Sequence, residues 1–98
     1  MADPRLAALA DVLVQHSCKL QPGEKVLIEA FDLPEPTLVL ELVQKATAAG
    51  AVPLVQWRSN RILRSIYQNS SDEGLKLIGD LDRHTMEQMD AYIGIRGA

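Results

Sequence analysis

A chain of 98 residues with a net charge of −3 has room for one small domain with a thin stability margin. The acidic balance excludes a broad electrostatic attraction to nucleic acid or anionic lipid. A single cysteine, Cys18, excludes an internal disulfide, which fits a reducing compartment.

The opening MADPRLAAL lacks a basic region followed by an apolar one, so a secretory signal is not expected. No apolar run approaches the roughly 18 residues of a membrane-spanning helix. The expectation is a soluble, cytoplasmic chain with neither nucleic acid nor membrane as a partner. Asp3-Pro4 is a helix start, with an acceptor at the cap and a proline at the first helical position. Leu6, Leu9, Ala10, Leu13, Ser17 and Leu20 recur at steps of three and four, one buried stripe of an amphipathic helix. Pro22-Gly23 ends it in a tight turn.

Residues 25–30, KVLIEA, form a short apolar run with β-branched members. They predict a strand covered on both faces, as parallel strands are. A second helix begins near Pro34 or Pro36, which suit only a first turn. Its stripe is Leu38, Val39, Leu42, Val43, Ala46 and Ala49, and Gly50 is its C-terminal cap. Residues 52–57, VPLVQW, predict a second strand. Pro53 cannot donate a ladder hydrogen bond, so this strand is expected to lie at a sheet edge or to begin there. Strand, helix and strand of these lengths form a parallel unit with a right-handed crossover.

Residues 59–90 read as three helical pieces. One carries Ile62, Leu63, Ile66 and Tyr67. A second is capped by Ser71-Asp72-Glu73 and runs through Leu75, Leu77 and Ile78. A third extends from Leu81 to Met89 and stops at Asp90. The run AYIGIRG, residues 91–97, predicts a third strand. The fold class is α/β: three layers around a short parallel sheet of order 2-1-3, with the Lys25 strand in the centre. A sheet with both edges open is a hazard that soluble proteins cover, so the chain is expected to be the front part of a longer protein or one half of a dimer.

The chemistry-bearing residues are few. A phosphate cradle after the first strand needs glycines whose N–H groups approach the anion. That place holds Asp32, Pro34, Glu35 and Pro36, which repel phosphate or lack a donor. Glu35 or Asp32 reads instead as a complement to the dipole of the second helix. His84 stands among Asp80, Asp82, Glu87 and Asp90, and steps of four and three place Asp80, His84 and Glu87 on one helical face. Acidic solvated faces with a histidine are common, so this reads as surface before metal site. His16 and Cys18, two apart on a helix, point to different faces and cannot share a metal; Cys18 reads as a small semi-buried apolar residue. Arg58, Arg61 and Arg64 at steps of three form a basic stripe beside Trp57, too little for a nucleic-acid platform. No catalytic, cofactor-binding or metal-ligating residue is assigned.

Three stretches carry a resemblance. LADVLVQHSCKLQPGEKVLIEA (residues 9–30), LVQKATAAGAVPLVQW (42–57) and MEQMDAYIGIRGA (86–98), in this order and spacing, resemble the N-terminal domain of the thermophilic metalloprotease family. Its named members include aminopeptidase T, aminopeptidase S and aminopeptidase II. The resemblance implies a longer, homodimeric enzyme that releases N-terminal amino acids from peptides. It also implies two divalent ions, reported as cobalt, zinc, magnesium or manganese, which can hold a scissile carbonyl and activate water together. The family's ligands belong to a C-terminal catalytic domain, so residues 1–98 are expected to be a single N-terminal α/β domain without it. An alternative reading is a stand-alone binding or dimerisation module without catalysis.

Overall fold

The computed structural model describes residues 3–97. Elements follow in the order α1 (Pro4–Val12), a π-helical turn (Leu13–Ser17), β1 (Lys25–Phe31), α2 (Thr37–Ala48), β2 (Val52–Arg58), α3 (Asn60–Asn69), α4 (Asp72–Glu87) and β3 (Ala91–Arg96). The strands form one parallel sheet in the order β2-β1-β3, as the sequence predicts. Val52 N donates to Glu24 O toward β1. By strand alternation Pro53 therefore turns its missing N–H to the free edge, where it removes no ladder bond.

One face of β1, formed by Val26, Ile28 and Ala30, packs with Ala10, Val14, Leu20, Val39, Leu42, Ala46 and Ile93 into the core. Two helix ends bring these residues together. Asp3 accepts from Arg5 N at 2.9 Å to start α1. Gly50, at φ 83°, ends α2 with Ala51 N on Ala46 O and Gly50 N on Thr47 O, the paired bonds of a Schellman motif. That turn delivers the chain directly into β2.

Two sequence expectations need correction. The stripe of α1 does not run on through Ser17, which is exposed, and Leu9 is 43% exposed. Cys18 N reaches back five residues to Leu13 O at 2.9 Å, so the π-helical turn inserts one residue into the period. The inward positions become Val14 and Cys18. Second, residues 72–87 form one continuous helix rather than two pieces. Gly79 lies inside it; a lone glycine costs only about 1 kcal/mol there, and no proline interrupts the hydrogen bonding.

The second layer is thin. Helices α3 and α4 carry residues 60–87 across the other face of the sheet, and neither contains a buried residue.

Candidate functional site

The sheet face opposite the core is mixed: the buried apolar side chains Leu27 and Phe31 flank Glu29 at its centre. Alternation along β1 turns Leu27, Glu29 and Phe31 away from the core. Register sets Gln56 and Gly94 on either side of Glu29, and Arg58 and Arg96 on either side of Phe31. Arg58 Nε stands 2.6 Å from Glu29 Oε2. Its N–H is not aligned with any acceptor among the described residues, so the attraction is charge on charge rather than a formed hydrogen bond. Arg58 Nη2 donates to Gln56 Oε1 at 2.7 Å and lies 3.6 Å from Asp82 Oδ1 on α4. From the other side, the Tyr92 hydroxyl donates to Glu29 Oε1 at 2.7 Å.

Glu29 and Arg58 are mostly covered, with side-chain exposures of 16% and 24%. Burial pushes the Tyr92 phenol up, and the hydrogen bond to Glu29 and its negative charge push the same way. Arg96 stacks its guanidinium over Phe31, 4.6 Å from the ring centre, a cation–π contact. Leu27, Thr85 and Met86 complete a groove of about 160 Å³ between this network and α4. Chemically, Glu29 is engaged by a cation and a phenol. Tyr92 is held protonated and acts as a donor.

The loop after β1 has a different use from the expected one. Asp32 sits at φ 56°, a left-handed conformation that aspartate tolerates better than most residues. Its carboxylate accepts from Asn60 N at 3.1 Å and from the Asn60 side-chain amide at 2.9 Å. Asp32 thus serves the start of α3, not of α2. Glu35 stays beside α2, where it accepts from the Thr37 hydroxyl at 2.6 Å.

The acidic segment around His84 is spread over separate partners. Asp80 pairs with Lys76 at 2.9 Å and Arg83 at 3.7 Å. Asp82 faces Arg58. Asp90 leaves the helix and accepts from Lys25 N at 2.8 Å. Among the described residues no three His, Cys, Asp or Glu side chains converge as a metal would require. Cys18 is half-buried with its sulfur 4.0 Å from Tyr92 O, and burial raises its thiol pKa, which disfavours the thiolate. The arginine stripe does not form: Arg58 ends β2, whereas Arg61 and Arg64 are exposed on α3. Trp57, next to Arg58 on a strand, lies on the opposite face.

Sequence reasoning passed over Glu29, Gln56 and Tyr92. The available signal was a lone carboxylate inside the apolar run KVLIEA, since a covered strand needs a cation for such a residue.

The fold and this face define a small parallel-sheet α/β domain whose outer side carries a Glu–Arg–Tyr network between Leu27 and Phe31. Residues 2–98 match the thermophilic metalloprotease family, and the chain belongs to it. No curated protein matches the chain at significant similarity.

Proposed function

We propose that this chain is the N-terminal scaffold and cover domain of a metal-dependent aminopeptidase that releases N-terminal amino acids from peptides. The observation that carries the reading is the family match, which spans residues 2–98. The side-chain contacts agree with it: Asp80, Asp82 and Asp90, three of the carboxylates around His84, are engaged within the domain. A two-metal centre requires several carboxylates and imidazoles converging on one point. Asp80, Asp82 and Asp90 turn to Lys76, Arg58 and the Lys25 backbone, so these residues do not fit such a centre. No hydrolytic step is assigned to them.

In this reading two divalent ions, cobalt, zinc, magnesium or manganese, are held by a catalytic domain outside residues 1–98. The peptide substrate meets that domain, and the enzyme is a cytoplasmic homodimer. A second reading, a binding or dimerisation module without catalysis, draws support from the exposed apolar side chains Ile62, Leu77 and Leu81.

One paired assay separates the two. The 98-residue chain and a protein carrying it together with the catalytic domain are each incubated with cobalt or zinc and leucine p-nitroanilide. The expected result is no turnover by the chain alone, turnover by the longer protein, and loss of that turnover on chelation. Turnover by the short chain overturns the assignment. A folded, metal-loaded longer protein without activity favours the binding module.

A further inference from the structure

Residues 60–87 cross from the carboxyl edge of the sheet to its amino edge without one buried side chain. Their apolar residues are open to solvent: Ile62, Ile66 and Tyr67 on α3, and Leu75, Leu77 and Leu81 on α4. The radius of gyration, 15.0 Å, exceeds the ~13 Å of a compact domain of about 100 residues, in keeping with helices that stand away from the body. Three aspartates fix this crossover instead of a core. Asp32 takes both Asn60 donors where the crossover begins. Asp82, in the second half of α4, faces Arg58 at 3.6 Å. Asp90, just after it, takes Lys25 N at 2.8 Å, while its own N–H goes to Lys25 O at 2.7 Å.

From this we infer that the α3–α4 crossover is a strap: it detaches from the sheet while α1, β1 and α2 stay folded, and the Arg58–Asp82 contact is its latch. The physical ground is the contrast in what holds each part. Local opening requires little free energy where few apolar contacts break. The core loses Val26, Ile28 and Leu42 to water if it opens, whereas the strap uncovers one fully buried side chain, Leu27, and parts an ion pair whose Asp82 side is 50% exposed, and exposed pairs are weak. Both ends remain tied when the latch parts, because Asp32 and Asp90 act at the sheet edges. Opening uncovers the groove along Leu27 and Met86 and gives solvent access to Glu29. The inference stands apart from the peptidase reading, since it concerns only contacts within these residues.

Hydrogen exchange read by mass spectrometry on the 98-residue chain tests it. Peptides from residues 60–82 are expected to exchange on the order of 100-fold faster than those of β1. Asp82→Ala is expected to speed exchange in residues 76–87 about fivefold, the scale of one exposed ion pair, with β1 unchanged. Asp82→Glu is expected to restore most of the protection. Exchange in α4 as slow as in β1 overturns the inference. So does β1 losing protection together with α4, which would make the domain one cooperative unit, and so does an Asp82→Ala chain indistinguishable from the parent.

Discussion

Asp32 grips Asn60 with both carboxylate oxygens, one on the backbone N–H and one on the side-chain amide, from a backbone held at φ 56°. The contact joins the end of the central strand to the first residue of the crossover. Asp32→Ala removes both bonds and places a residue poorly suited to the left-handed region there. The expected cost is about 1–2 kcal/mol, read as a lower urea midpoint. Asp32→Asn keeps an acceptor and tolerates the backbone, so it should cost less than about 0.7 kcal/mol. Equal losses for the two variants would mean that the carboxylate does not hold α3.

Gly97 closes the same edge from β3. Its N–H donates to Phe31 O at 2.7 Å, and a β-carbon at this position would overlap the Asp32 carbonyl. Backbone atoms cannot move aside as a flexible side chain can, so Gly97→Ala must shift β3 away from β1. The expected loss is about 1–3 kcal/mol, checked by thermal or urea unfolding. A variant as stable as the parent would show that the end of β3 already has room to move.

Glu29 and Arg58 are covered enough for the loss of one partner to matter. Arg58→Ala leaves the carboxylate with Tyr92 as its only side-chain partner among the described residues and is expected to cost about 2–4 kcal/mol. The double change Glu29→Gln with Arg58→Met removes both charges and should recover most of that loss. A double-mutant cycle with Glu29→Gln and Arg58→Ala should give a coupling above about 1 kcal/mol. Additive losses would reduce the pair to an unimportant surface contact.

How much of this was legible in the sequence follows from the range of each interaction. The strands and their order rest on local signals: KVLIEA as an apolar run, Pro53 as an edge marker, Gly50 as a cap. These act within a few residues, and the structure places all three as read. The π-helical turn at Leu13–Ser17 was not legible, because no residue type marks an inserted residue and only packing reveals it. The partners of Asp32 and Glu29 lie 28 and 63 residues away in Asn60 and Tyr92. Periodicity cannot show such pairings, which appear only once the register of three strands is known. The arginine stripe fails for a simpler reason: the steps of three join Arg58 to Arg61 and Arg64 only if all three share one helix, and the strand runs on through residue 58.

Tyr92 reaches Glu29 by leaning along its own strand across Gly94. A β-carbon at Gly94 would stand 2.9 Å from both the Cε2 and the hydroxyl of Tyr92, so Gly94→Ala is expected to lift the ring off and break the hydrogen bond. Two observations should change together. Burial comes first among the causes that raise the phenol, and Glu29 adds to it; displacement into solvent relieves both, so the pKa should return toward the ordinary tyrosine value of about 10. Ultraviolet titration in a Tyr67→Phe background reads Tyr92 alone, since the chain has two tyrosines. The sign for stability follows from linkage. With the folded-state value raised, the contribution of Tyr92 is fully present below about pH 10 and is lost as pH rises through the folded-state value. The parent should therefore lose stability on alkaline titration more steeply than Gly94→Ala does. Identical alkaline profiles, or a Tyr92 pKa unmoved by the substitution, would mean that the phenol is not held by Glu29 in solution.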